Sequence, residues 1–219
     1  IKDGYAAKLE YPLEEDSVTH AAKRLAYVYE KYLADKSGKV YLSIVPDKSS
    51  FLAGEDYLSM DYNRLIELMR QGMPFAEYID IIGTLDISDY YKTDTHWRQE
   101  KIPDTAAHLA AAMGASLSGQ YTQNKLDRPF HGVYYGQSAM PLPGEEIVYL
   151  TNSVLDGCIA TDHESGTVGG LYDMDKAAGK DPYELFLSGA LPLVTVENPN
   201  AENDRELVLF RDSFGSSIA

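Results

Sequence analysis

At 219 residues, 44% of them hydrophobic, the chain has the composition of an ordinary globular protein and can bury a sizeable core, with one domain spanning 1–219 as the default. The formal net charge of -15 repels phosphate backbones and anionic membrane surfaces, and Lys and Arg are scattered singly, which argues against nucleic acid as a partner. The lone cysteine, Cys158, excludes an internal disulfide and a cysteine-based zinc site, and no run of about 18 apolar residues is present to span a bilayer. The chain starts at Ile1 with no basic, apolar and small-residue cassette ahead of it, as a trimmed or mature form would. Its 17 tyrosines suit β-rich packing and sugar stacking alike.

The elements alternate helix and strand in the manner of an α/β fold, without internal repeats. Asp16 or Ser17 caps a helix in which Ala21, Ala22, Leu25, Val28, Tyr29, Tyr32 and Leu33 fall near helical spacing, with Gly38 as its stop. Residues 39–45 read as a buried strand ended by Pro46. A second step follows, with a helix over 57–69 carrying Leu65, Ile66, Leu68 and Met69, then a strand over 78–82. Pro103, a favourable first-turn residue, opens an alanine-rich helix to Met113, and Gly114 ends it. Residues 116–180 are rich in Gly, Pro, Asn and Asp and read as an irregular, β-rich insertion or subregion. The last two strands are expected at 191–196 and 206–210, the second running into Arg211-Asp212-Ser213-Phe214-Gly215-Ser216-Ser217.

A small-residue turn around a serine, after a buried strand, presents a nucleophile at the carboxyl end of a parallel sheet. Such a turn calls for a following helix, so the C-terminal part of the domain is expected beyond Ala219. A serine hydroxyl needs an imidazole to take its proton, and the imidazole needs a carboxylate on its other nitrogen. Asp94 and His96 lie two apart and point the same way if the segment is extended. Trp97 beside them would wall the site from water.

The segment Tyr90-Tyr91-Lys92-Thr93-Asp94-Thr95-His96-Trp97 resembles the signature of the DHHW proteins of Gram-positive bacteria and of the alginate O-acetylation proteins related to them. Three further stretches match the DHHW pattern in the same order: Val45-Pro46-Asp47-Lys48, Tyr183-Glu184-Leu185-Phe186-Leu187-Ser188-Gly189 with Pro192-Leu193-Val194, and Leu209-Phe210-Arg211-Asp212-Ser213. The resemblance covers the chain from about residue 20 to its end. It implies a three-layer α/β/α, flavodoxin-like SGNH-hydrolase domain with a mainly parallel sheet, and a catalytic triad of Ser213 as nucleophile, His96 as general base and Asp94 as its orienting partner. Ordinary SGNH hydrolases place the serine motif first and the Asp-His motif last, so the order here implies a circular permutation. Asp212 matches the acidic residue before the nucleophile and braces the turn.

The resemblance departs at two places. Thr95 stands where the name motif has its middle His, as in the alginate proteins, and leaves the triad positions untouched. Where DHHW relatives carry Gly-Gly-Asn-His-Pro, this chain has Ser188-Gly189-Ala190-Leu191-Pro192. If that asparagine donates to the oxyanion, its loss costs about 3 kcal/mol of transition-state stabilisation.

Lys48 is a candidate contact for an anionic substrate group or the closer of a turn after Pro46. His131 is a candidate cleft residue or an ordinary packing residue. Asp162-His163-Glu164, taken with Asp94 and His96, would be a metal site only with a spacing that fits no zinc pattern, so no metal and no cofactor is expected. Three readings follow. The first is a serine esterase or O-acyltransferase acting on acyl groups of a cell-surface polysaccharide, with an acylated glycan as partner and a place outside the cytoplasm implied by the resemblance. The second is a non-catalytic envelope protein that binds carbohydrate or assembles with envelope protein partners. The third is a metal-dependent hydrolase using Asp94 and His96.

Overall fold

The computed structural model describes residues 1–36, 38–54, 57–117 and 119–219. Helix α1 (Glu15–Val28) opens with Glu15 and Asp16 in its first turn, where carboxylates complement the helix dipole, and widens into a π turn over Tyr29–Leu33. Its buried Ala22 faces Met69 and Met73 of the α3 region, α3 being Tyr62–Gly72. The two helices cross so closely that a Cβ on Gly72 would lie 2.5 Å from the Ala22 Cβ. Arg64 ties them on the outside, reaching Glu15 and Glu67 at 2.8 Å each.

The α3 start differs from the sequence expectation of 57. The Asp61 carboxylate accepts the Arg64 N–H and caps the helix there, while Tyr57 pairs with Gly54 in an isolated bridge. Strands β1 (Tyr41–Leu42) and β2 (Glu77–Tyr78) pair in parallel, Tyr41 opposite Glu77, on either side of the short α2 (Ser49–Leu52) and α3. The expected strands at 39–45 and 78–82 thus shrink to two residues each, although their order and direction stand.

Helix α4 (Pro103–Ala112) follows, with its proline in the first turn. The stretch 116–180 carries β3 (Thr122–Lys125), α5 (Val133–Ser138), β4 (Val148–Thr151), β5 (Ile159–Asp162), β6 (Val168–Gly169) and α6 (Met174–Ala177). Strand β3 pairs antiparallel with β4, and β5 lies between β6 and β7 (Val194–Glu197), antiparallel to both. The strand expected at 191–196 therefore forms, but it joins an antiparallel sheet. The strand expected at 206–210 does not form. Among the described residues nothing pairs with its backbone, and Leu207, Val208, Leu209 and Phe210 are exposed at 64%, 77%, 46% and 68% instead of buried. An apolar run becomes a strand only where a neighbour offers a ladder. The architecture is mixed α/β with small sheets.

The apolar clusters meet at the segment that matters for the site. Successive residues on extended backbone point to opposite faces. Tyr90 accordingly enters the cluster of Ile79, Ile81, Leu85, Trp97 and Ile102, while Tyr91 enters the other, of Phe130, Ile147, Tyr183, Leu185 and Phe186. The Tyr90 hydroxyl donates to the Pro46 carbonyl at 2.7 Å, fixing the segment to the chain that follows β1.

Candidate active site

Tyr90 and Trp97 form an antiparallel bridge, and the Tyr91 N–H donates to the His96 carbonyl at 3.1 Å, so residues 91–96 make a tight loop anchored at both ends in the core. The loop bends where the sequence reading has an extended segment. At the bend the Asp94 Oδ1 accepts the His96 backbone N–H at 3.0 Å and lies 2.5 Å from His96 Nδ1. The two side chains meet through this local turn rather than by sharing one face of a strand.

Asp94 is 4% exposed, and its Oδ2 accepts the Val133 N–H from the start of α5 at 2.8 Å. Burial disfavours its charge, but the His96 side chain and the His96 and Val133 amides outweigh that and hold the carboxyl below its usual value. An ionised carboxylate only accepts, so Nδ1 carries the proton that faces Asp94, and in the neutral imidazole Nε2 is then the acceptor. His96 Nε2 lies 2.8 Å from the Oγ of Ser213, which is itself exposed to solvent. The imidazole stacks on the Tyr183 ring, centroids 4.0 Å apart and planes within 12°, and lies 5.1 Å from the Phe214 ring.

Ser213 opens a 3₁₀ turn, Ser213–Ser216, in which the Asp212 carboxylate accepts the Phe214 N–H at 2.9 Å. Trp97 holds this turn: its indole N–H reaches the Ser217 Oγ at 2.9 Å and the Phe214 carbonyl at 3.2 Å, and its ring meets Phe214 edge-on at 5.3 Å. The Tyr183 hydroxyl also bonds Ser217 Oγ, and Gln99 donates to the Ser217 carbonyl at 3.0 Å. Trp97 is thus an anchor of the Ser213 turn, where the sequence reading has a wall against water.

Gly189 follows two further left-handed residues, Leu187 at φ 50° and Ser188 at φ 55°, and itself has φ 82°. Its N–H donates to the Phe186 carbonyl at 3.0 Å, and its carbonyl faces Arg211 and Ser216 of the Ser213 turn at 3.4 and 3.5 Å. Lys48 is fully buried and its ammonium donates to three backbone carbonyls, so it has no surface to offer a substrate anion. His131 is exposed beside Tyr135, ring centroids 4.4 Å apart. His163 pairs with the Thr195 hydroxyl, and the Asp162 carboxylate accepts from Glu164 and Ser165 within its own turn. Among the described residues no three His, Cys, Asp or Glu side chains are grouped to hold a metal ion.

Three contributors are missing from the sequence reading of the site. Glu145 bonds the loop before Asp94 from 52 and 53 positions away, and nothing in its sequence context marks it for that contact. Gly132 packs its backbone on Asp94. Tyr183 lies within a family-like stretch, where its aromatic character was the available signal, but only tertiary structure sets it against His96.

A hydrogen-bonded carboxylate, imidazole and hydroxyl on a mixed α/β scaffold is the arrangement that serine-dependent acyl transfer employs. Among solved structures, the fold is similar to a DHHW family protein from Eubacterium siraeum, with a TM-score of 0.80 and 19% identity, covering 100% of this chain and 76% of that one. It is also similar to Bacillus cereus PatB1 in two structures at a TM-score of 0.69. One, with a sulfonyl adduct, is 18% identical and covers 96% of this chain and 78% of that one. The other is 19% identical and covers 100% and 81%. The DHHW resemblance carried by the sequence motifs is thus matched by the fold. No family model and no curated protein matches the sequence.

Proposed function

We propose that this chain is an SGNH-type serine esterase or O-acyltransferase, built on a circularly permuted three-layer α/β/α domain, that acts on acyl groups of a polysaccharide outside the cytoplasm. The observation that carries the reading is the continuous chain from Asp94 through His96 to the exposed Ser213 hydroxyl. Ser213 Oγ attacks the acyl carbonyl as its proton passes to His96 Nε2, and that proton then leaves with the alcohol of the donor ester. Water or a sugar hydroxyl next attacks the acyl-enzyme and gives its proton to His96, which returns one to Ser213. Asp94 keeps the imidazole in the tautomer that accepts from serine and balances the imidazolium that forms. The Ser213 backbone N–H is the donor assigned to the oxyanion. The glycan enters the reading through the resemblance to the alginate O-acetylation proteins alone. No described helix is long and apolar enough to cross a membrane.

Hydrolysis of p-nitrophenyl acetate tests this directly. Turnover by the wild type that disappears in Ser213→Ala and drops at least a hundredfold in His96→Ala supports it, since a general base contributes about 10²–10⁴. Equal rates in all three would remove both residues from the reaction.

One observation favours a second reading, a non-catalytic carbohydrate-binding or assembly protein. The Gly189 N–H is engaged with Phe186, and Ala190 stands where the relatives' pattern has asparagine, so the second oxyanion donor is unassigned. A folded wild type without esterase activity or reactivity toward serine-directed probes would select it.

A further inference from the structure

The backbone that carries Asp94 is gripped from opposite edges by opposite charges. On one edge the Lys48 ammonium donates to the carbonyls of Tyr91 at 2.7 Å, Lys92 at 3.1 Å and Asp94 at 2.6 Å. An ammonium has three protons, and these three carbonyls use all of them. On the other edge the Glu145 carboxylate accepts the Lys92 N–H at 2.8 Å through Oε1, and the Thr93 N–H at 2.8 Å and hydroxyl at 2.9 Å through Oε2. The loop belongs to no sheet or helix there, so side chains supply the partners its peptide groups would otherwise lack.

A third contact locks the same residues. The N–H groups of Gly132, Val133 and Tyr134, at the start of α5, donate in turn to Thr93 Oγ1, Asp94 Oδ2 and the Thr93 carbonyl at 3.1, 2.8 and 2.9 Å. Glu145 is fastened to the chain leading into α5, because Phe130 and Glu145 exchange both backbone hydrogen bonds, at 2.8 and 2.9 Å. Burying an ammonium completely is costly, and an apolar side chain of similar volume is the cheaper filler. The cost makes sense where the carbonyls it satisfies must be held in one place.

We propose that Lys48 and Glu145 are positioning residues that clamp the loop 91–94 and thereby aim the Asp94 carboxylate at His96 Nδ1. The inference rests on the reading of Asp94, His96 and Ser213 as a working triad. Neither residue touches the substrate. Lys48 is sealed from solvent, and the Glu145 side chain is 9% exposed and directed at the loop and, at 3.8 Å, at Arg98. A displacement of about 1 Å at a catalytic group can cost a hundredfold in rate, so a loosened clamp shows in turnover before it shows in substrate affinity.

The test compares Lys48→Met and Glu145→Gln with Met69→Ala, a destabilising change in the separate α1–α3 cluster. Two quantities are measured at a temperature where all remain folded: kcat and KM for p-nitrophenyl acetate, and the downfield proton resonance of the hydrogen bond between His96 Nδ1 and Asp94. The clamp predicts a tenfold or larger fall in kcat with KM within twofold for both clamp variants, and a shifted or broadened resonance. Met69→Ala should alter neither. Should Lys48→Met fail to fold, Glu145→Gln, which keeps one acceptor oxygen, carries the same comparison. Clamp variants that behave like Met69→Ala would overturn the proposal, as would a wild type lacking the resonance. An inactive wild type would sink the serine mechanism alone, because the resonance still decides whether the clamp sets the Asp94–His96 pair.

Discussion

Gly132 and Asp94 are packed backbone to backbone: a Cβ built on Gly132 would lie 2.2 Å from the Asp94 Cβ and 2.4 Å from its Cα. The φ of Gly132, -74°, suits any residue, so the glycine is there for space rather than for conformation. Gly132→Ala must push the α5 start away from the loop and take the Val133 N–H off the carboxylate. Overpacking of this kind costs about 1–3 kcal/mol. The expected result is that loss in urea unfolding, together with a fall in esterase turnover larger than that of other variants equally destabilised.

Trp97 and Tyr183 both converge on Ser217, and they should fail differently. Trp97→Phe removes the indole N–H from Ser217 and from the Phe214 carbonyl, which loosens the turn that presents Ser213. A lost buried hydrogen bond costs about 1–3 kcal/mol, and labelling of Ser213 by a fluorophosphonate should slow in parallel.

Tyr183→Phe keeps the ring against His96 and loses only the hydroxyl, so activity should stay within a few-fold of wild type. Tyr183→Ala empties a buried site beside the imidazole and should cost about 3–5 kcal/mol with near-complete loss of turnover. Identical kinetics for the two variants would show that the stacking contributes nothing.

Burial holds the Lys48 ammonium down to about 8 from 10.5, against the partly opposing charges of Asp94, Asp47 and Glu145. The unfolded chain therefore keeps a proton that the folded chain has released between about pH 8 and 10.5. In that window the wild type gains stability as pH rises, and below pH 8 the penalty of burying the charge is constant. The gain amounts to about 3 kcal/mol, and Lys48→Met should lack it. Urea unfolding of the two proteins across pH 7 to about 10.5 checks the difference.

The parts of the fold set by local pattern were readable: α1 from its apolar spacing, and α4 from Pro103 at its start and Gly114 at its end. Of the strands, the parallel pair at Tyr41–Leu42 and Glu77–Tyr78 was readable in order and direction but not in extent, and the last two were not, because pairing is decided by neighbours far along the chain. Val194–Glu197 is antiparallel for that reason, and residues 206–210, apolar as they are, form no strand. In the site, the spacing of Asp94 and His96 and the serine turn were visible. The bend that joins the first two, the stacked Tyr183 and the grip of Lys48 and Glu145 were not, since each depends on contacts between segments tens of residues apart. A lysine after Pro46 reads as a contact for a substrate anion or as the closer of a turn, and its grip on the loop shows only once the three carbonyls that enclose it are seen.

The most direct measurement is the site of reaction with a fluorophosphonate probe, read by intact mass and peptide mapping, in the wild type, Ser213→Ala and His96→Ala. A single adduct on Ser213 in the wild type, absent from Ser213→Ala and formed at least a hundredfold more slowly in His96→Ala, is the predicted outcome. A folded wild type that takes no label, or takes it on another residue, would contradict an activated Ser213.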